Sequence, residues 1–557
     1  MKSLGIACCL LTAIFLGPAK AEAVRPNVIL IVTDDQRREQ ANFLPEGRDA
    51  DGRPKNLTPN LDRLAREGVV LRGLHCPSPL CVPSRFTCLT GNYAGRATNR
   101  WMTDLHKMHG HTFIHQEPNI IAETPTIAKD LKRLGYVTGT VGKNHAIEAP
   151  GYRKVDARRR LDDPQVQAQL RENQRVCSAA YRQAGFDFAA RIYHTNPRVI
   201  GPPEIQVHNL DWIHEAAIRF IDEHHERPFF LFYATTVPHG PHNGFKSDPR
   251  ATPLGILPKP PKGLPSRENI AARLKRHGYG DDRGDMLWLD DCVGSLLARI
   301  DRHGILDNTI IVYLTDHGVE GGKTTCYQGG MLTFGFVWGP KPYVQGGRVS
   351  SSPCSTVDLA PTVYELCGGT IAAGRYDGVS LRPVLAGRRP DRPRVLYGEM
   401  GHTRAVIKGQ WKYLALRYSD YIQKMPMSER LAWLAAANEY QRSNRWSTFE
   451  TNDPRGRFGH SGFIPDLWDH EKVALASYPH FFDADQLYDL SADPREQRNL
   501  AGDSRYQDVL ADMKAELRRL LKPLPGGFAE FKPSEAETPP MAERIRIGRE
   551  LMKTVFH

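Results

Sequence analysis

The chain has 557 residues, 40% of them hydrophobic and 25% charged, a balance that excludes a disordered or fibrous protein and suits a large domain joined to a smaller one. Its 74 Lys and Arg against 63 Asp and Glu give a formal charge of +11, which favours polyanionic partners such as sulfated glycans, nucleic acid or anionic surfaces. The basic residues are spread along the chain without an arginine-rich arm, zinc finger or aromatic RNP-like run, so nucleic acid is not an expected partner.

From the N-terminus, Met1 and Lys2 precede an apolar run from Leu4 to Leu16, then Gly17-Pro18 and the small residues Ala19, Ala21 and Ala23. A basic start, a short apolar core and an A-x-A-like end read as a signal peptide over 1–23, with a signal anchor as the alternative. The run is short for a bilayer and no later stretch approaches that length, so the reading is a secreted or periplasmic protein without stable membrane insertion. Cys8 and Cys9 leave with the leader. The remaining cysteines, at 76, 81, 88, 177, 292, 326, 354 and 367, contain no C-x-x-C pair, so no zinc site is expected and spacing fixes no disulfide.

Four segments share one design. Val28–Thr33 runs into Asp34-Asp35, Tyr136–Gly142 into Lys143 and His145, Phe229–Ala234 into Pro238-His239, and Thr309–Thr315 into Asp316-His317. Nearly continuous β-branched and aromatic runs read as strands buried on both faces. Helical patterns fall between them at Thr58–Glu67, Thr126–Leu134, Trp212–His225 and Met286–Arg302. The expectation is an α/β catalytic domain over 24–389, with a large mixed, mostly parallel sheet flanked by helices. Ligands bind such sheets beyond the carboxyl ends of the strands, where all four runs end in ionisable residues. A smaller α+β subdomain is expected over 390–523. Short antiparallel strands are read at Val395–Glu399, Ala405–Lys408, Trp411–Leu416 and Gln486–Leu490, with a closing helix at Tyr506–Leu521. Ser419–Ala484, aromatic-rich and without clear period, reads as an insertion reaching over the active site, and 524–557 as a peripheral tail.

Cys81-Val82-Pro83-Ser84-Arg85, followed by Leu89-Thr90-Gly91, carries the most specific chemistry. Pro83 suits a first helical turn, and a helix N-terminus lowers a thiol pKa, so a thiolate nucleophile is one reading and a buried structural cysteine the other. The same stretch resembles the signature of the sulfatases, in which this cysteine becomes formylglycine. Asp34-Asp35, Gly142-Lys143-Asn144-His145, Pro238-His239-Gly240-Pro241 and Thr315-Asp316-His317-Gly318 with Lys323 are similar to further elements of that family, in order. Lys408–Tyr413 and Leu487–Leu490 in the smaller domain also look familiar.

The resemblance implies an alkaline phosphatase-like fold. It implies hydrolysis of sulfate esters or sulfamates, with a sulfated polysaccharide or glycosaminoglycan unit as substrate. Asp34, Asp35, Asp316, His317 and residue 81 would hold Ca²⁺, with Mg²⁺ as the alternative, since hard carboxylate oxygens suit either ion. The formylglycine hydrate is the implied nucleophile, kept deprotonated by the metal and Arg85. Lys143, Lys323 and His239 would bind the sulfate, His239 or Lys323 would protonate the leaving oxygen, and His145 would take a proton from the second hydroxyl to expel sulfate. His242 is a candidate substrate contact, with Trp101 and His402 beside it as further sugar contacts. A formylglycine-generating or equivalent maturation enzyme is an implied partner. At Tyr327–Phe334 the chain has Gln328 where relatives often have Glu and Leu332 where they often have Arg, so pocket-wall contacts differ. Two other readings stand beside this one: a phosphodiester or phosphonate monoester hydrolase of the same superfamily, and a catalytically silent glycan-binding protein.

Overall fold

The computed structural model describes residues 25–388, 394–444, 453–462, 469–534 and 537–556; the expected leader at 1–23 lies outside them. Eight strands form the main sheet: β1 (Asn27–Asp34), β2 (Val69–Leu71), β3 (Val137–Lys143), β4 (Phe188–Tyr193), β5 (Phe229–Pro238), β6 (Thr309–Thr315), β7 (Gly335–Trp338) and β8 (Arg348–Ser350). Their order is β8-β2-β7-β6-β1-β5-β3-β4. β6-β1-β5-β3-β4 run parallel, while β7 is antiparallel to both β6 and β2. The four runs read from the sequence are thus the contiguous centre of a mixed, mostly parallel sheet. Every residue of β1, β3, β5 and β6 is buried, which explains their unbroken apolar character.

Successive side chains of β1 serve opposite cores. Ile29 and Ile31 pack with helices α1 (Pro59–Glu67), α5 (Leu210–His224) and α6 (Gly284–Arg302). Val28, Leu30 and Val32 face α2 (Cys81–Thr90), α3 (Arg100–His109) and α4 (Ile127–Arg133) on the other side. Sequence supplies the caps: Asn209 accepts the Trp212 N–H at the start of α5, and Thr126 that of Lys129 in α4. Gly91 closes α2 at φ 69°, where a Cβ would also strike the Tyr376 ring at 2.4 Å.

The smaller sheet is antiparallel in the order β9 (Val395–Met400), β10 (Thr403–Lys408), β11 (Trp411–Leu416) and β12 (Asp485–Asp489). Tyr397, Val406, Tyr413 and Leu487 bury one face against Leu510, Met513, Leu517 and Leu521 of α9 (Gln507–Leu521). Beyond the expected strands, the described residues of 419–484 carry a short helix at Asp420–Gln423 and two longer ones, α7 (Met427–Asn444) and α8 (Asp469–Ser477).

The tail is not peripheral, contrary to its reading from sequence. α10 (Met541–Phe556) packs on α3 and α7 through Ile547, Leu551 and Met552. Its Arg544, 2% exposed, donates to the carbonyl oxygens of Met108 and His109 and pairs with Asp420. The dense Arg and Glu of 541–556 conceal this narrow apolar stripe. Among the described residues all eight cysteines are free and buried, and no helix is long and apolar enough to cross a membrane.

Candidate active site

The carboxyl ends of β1, β3, β5 and β6 meet the N-terminus of α2. Asp34 ends β1, and Asp35 follows in the left-handed region at φ 56°, which turns the two carboxylates to different neighbours. Lys143 Nζ lies 2.5 Å from Asp34 Oδ2. Lys323 Nζ lies 2.8 and 2.7 Å from the two oxygens of Asp35. Arg85 Nη2 bridges Asp34 Oδ1 at 3.4 Å and Asp316 Oδ2 at 3.3 Å. His317 Nε2 is 3.3 Å from Asp35 Oδ1, and His239 Nε2 is 3.5 Å from Asp35 Oδ2. At the centre, Cys81 Sγ lies 3.7 Å from Asp34 Oδ1 and 3.4 Å from His317 Nε2.

Local backbone chemistry fixes these positions. β3 shifts register between Val141 and Gly142, and Gly142 adopts φ 92° with its would-be Cβ only 1.9 Å from the Ala234 carbonyl oxygen. Only glycine fits that approach, so the G-K pair is a steric device that aims Lys143 at Asp34. Ser84 donates its hydroxyl to the Asp316 carbonyl, tying α2 to the end of β6.

Burial grades across the cluster. The side chains of Asp34, Arg85, Lys143, Asp316 and His317 are fully enclosed, whereas Asp35 and His239 keep 18% and 19% exposure and form the open side. Burial opposes charge on Asp34, yet Lys143, His239 and Arg85 hold its carboxyl well below the usual range. Asp35 is likewise depressed by Lys323, His239 and His317 against its burial. Desolvation also opposes the charge of Lys323, but Asp35 keeps the ammonium firmly protonated. Three carboxylates and three fixed cations nearly cancel, so this floor holds charge without a large net field.

Burial dominates at Cys81, pushing its thiol up to about 12 against the pull of Lys143 and Lys323. Burial and then Lys143 drive the His145 imidazole well below its usual value; its Nδ1 is buried without a partner. The ring is therefore held in its neutral form.

The donor set fits a hard divalent cation. Asp34, Cys81 and Asp316 offer ligand atoms within 4.8 Å of one another, as do Asp35, Cys81 and His317. Arg85 Nε and Nη1 are buried donors without partners, which await an acceptor beside residue 81.

Three further candidates are placed as follows. His242, three residues beyond His239, is exposed and lies near Asp285. Trp101 is half-buried against His115, and His402 is fully buried, so His402 offers no face to a sugar. Two histidines escaped the sequence reading. His208, fully buried, feels the charges of His239, Asp34 and Lys143 but belongs to no motif. His470, exposed in the first turn of α8, is near enough to Lys323, Asp35, His317 and His239 for their charges to act on it. The insertion therefore reaches the rim of the site.

A mixed sheet that gathers acids, cations and a helix-terminal cysteine at its central strand ends defines an alkaline phosphatase-like hydrolase. The sequence matches the sulfatase family over residues 26–369. The chain belongs to the sulfatase family and is a sulfuric ester hydrolase. N-acetylgalactosamine-6-sulfatase of Mus musculus is 28% identical over 414 residues, covering 70% of this chain and 71% of its own. A solved structure described under glycosaminoglycan metabolism by Bacteroides thetaiotaomicron aligns with TM-score 0.60 at 20% identity, covering 89% of this chain and 99% of its own. The phosphonate monoester hydrolase of Silicibacter pomeroyi aligns with TM-score 0.53 at 17% identity, covering 90% and 96%. The two structural likenesses establish the shared fold.

Proposed function

We propose that this sulfatase removes sulfate from a sulfated polysaccharide or glycosaminoglycan unit, using formylglycine made from Cys81 and a bound Ca²⁺ or Mg²⁺. The observation that carries the mechanism is the place of Cys81, whose sulfur sits at the first turn of α2 among three carboxylates and three cations. Support for the substrate class comes from the +11 charge and from the sugar sulfatase among its relatives.

Asp34, Asp35, Asp316 and His317 would hold the cation, which supplies Lewis-acid polarisation and offsets charge on the sulfate. Formylglycine supplies a hydrated aldehyde, with one hydroxyl for attack on sulfur and a second through which sulfate is later expelled. Arg85, with its free Nε and Nη1, stabilises the attacking oxygen in its deprotonated form. Lys143 and Lys323 exchange their carboxylate partners for sulfate oxygens, meeting the negative charge that builds as the ester bond breaks. His239, on the open side, protonates the leaving sugar oxygen. The neutral His145 takes the proton whose loss drives sulfate out. An exported protein, matured by a formylglycine-generating or equivalent enzyme, meets such glycans outside the cell.

The test is turnover of paired 4-nitrophenyl sulfate, phosphate and phenylphosphonate esters, followed by sulfated mono- and disaccharides with O- or N-linked sulfate. The proposal expects the sulfate to be fastest and at least one sulfated sugar to be desulfated. Faster turnover of the phosphate or phosphonate assigns the site to the other branch of the superfamily.

A further inference from the structure

Apart from the catalytic cluster, three histidines converge where the two sheets meet. His109 ends α3, His111 follows two residues later, and His402 sits in the turn between β9 and β10. All three are buried, at 3%, 8% and 0% exposure. They offer ligand nitrogens within 4.8 Å of one another.

Their hydrogen bonding is incomplete, as it is for His208 and His214, but here the rings also come together. Both ring nitrogens of His402 and Nε2 of His111 are buried without a partner. His109 Nδ1 is bonded to Ser419 Oγ at 2.9 Å, which leaves its Nε2 for another role. Stacking does not account for the group either. Phe113 stacks on His109 at 3.9 Å, but His402 stands at 79° to His109 and 82° to His111. Buried polar atoms are nearly always satisfied, so orphaned ring nitrogens on His111 and His402, with one ligand nitrogen from each of the three rings within 4.8 Å of the others, indicate a missing partner.

We propose that His109, His111 and His402 form a second metal site, a structural one for Zn²⁺, separate from the carboxylate cluster. Three imidazoles without a carboxylate select a borderline transition ion and discriminate against Ca²⁺ and Mg²⁺. Burial first, then neighbouring imidazoles and the Arg404 and Arg544 charges, keep the rings in the neutral form that carries a metal-binding lone pair. Those two arginines are themselves committed. Arg404 donates to the carbonyls of Gly401, Thr403 and Thr112, and Arg544 pairs with Asp420. Ser419 provides the outer contact that metal-bound histidines commonly make. The ion would pin the end of α3 to the β9–β10 hairpin and so lock the smaller domain to the catalytic one. His402 would then serve as a ligand, not as the sugar contact expected from sequence.

The experiment uses the full chain, stripped with chelator and held in saturating Ca²⁺ to occupy the carboxylate cluster. Zn²⁺ is titrated by calorimetry, and Co²⁺ is followed by its visible d–d bands. The expected result is one Zn²⁺ per chain in addition to Ca²⁺, a rise in melting temperature, and intense Co²⁺ bands of a low-symmetry site. His402→Gln abolishes all three, and His111→Gln weakens Zn²⁺ binding by about tenfold or more while the Ca²⁺ response persists. If His402→Gln does not fold, His111→Gln and the Co²⁺ spectrum of the unaltered chain decide. The proposal is overturned if no Zn²⁺ binds under these conditions, if binding is unchanged in His111→Gln, or if it is lost in Asp316→Asn.

Discussion

Replacing Lys323 with Met separates the two partners that compete for Asp35. Lys323 Nζ lies 2.7 Å from Asp35 Oδ2, and its side chain is 6% exposed. A Ca²⁺ bound to Asp35 sits roughly 2.3–2.6 Å from a carboxylate oxygen, hence within about 5.3 Å of the ammonium if the lysine does not move. At an effective dielectric near 20, a single and a double positive charge at that separation repel by about 6 kcal/mol. The lysine swings toward sulfate and relieves most of this, but a residual quarter still weakens the cation by roughly tenfold. The same lysine contacts sulfate oxygens in the transition state, where loss of one such donor costs about 10²–10³ in kcat. Lys323→Met should therefore bind Ca²⁺ about tenfold more tightly while turning over 4-nitrophenyl sulfate some 10²–10³ times more slowly. Calorimetry on chelator-stripped protein and steady-state kinetics measure the two effects. Weaker Ca²⁺ binding, or a kcat within about threefold of the unaltered enzyme, would refute the assignment of Lys323 to both partners.

Three further outcomes follow from other parts of the fold. Gly142→Ala forces a Cβ to within 1.9 Å of the Ala234 oxygen at φ 92°, so urea denaturation should show a loss of about 3 kcal/mol or more, with activity falling as Lys143 is displaced. Lys412 and Glu496 form a wholly buried pair at 2.6 Å, and Lys412→Met should cost about 3–5 kcal/mol by stranding the carboxylate. Lys412→Met with Glu496→Gln should recover part of that loss. Burial, with Glu148 adding to it, pushes the Glu117 carboxyl up to about 7 from 4.5. Because the folded value is the higher one, its contribution is intact below the unfolded value and lost as pH rises through 7. Thermal melts should show the unaltered chain falling progressively behind Glu117→Gln from about pH 4.5 to about pH 7.

Much of the site was legible in sequence because its carriers obey strong local rules. β1, β3, β5 and β6 are buried on both faces, so their apolar runs stand out and the polar residues that end them mark the ligand edge. Gly142 and Gly91 sit at positive φ where the backbone requires glycine, which is why G-K and L-T-G read clearly. What escaped depends on long-range packing. His208 reaches His239 only through the fold, and His470 approaches the rim only through the docking of α8. His109 and His402 are nearly three hundred residues apart and share no pattern. The apolar stripe of α10 is buried beneath a charged composition. At Cys81 a helix terminus contributes only a modest field, and complete burial outweighs it in setting the thiol.

The central claim is the chemical state of residue 81. Mass spectrometry of the peptide carrying Cys81, taken from protein co-produced with a formylglycine-generating enzyme, reads it directly. The account expects that residue to have exchanged its sulfur and two hydrogens for one oxygen, with sulfatase activity proportional to the converted fraction. Full activity in protein whose Cys81 is still an unmodified thiol would contradict it.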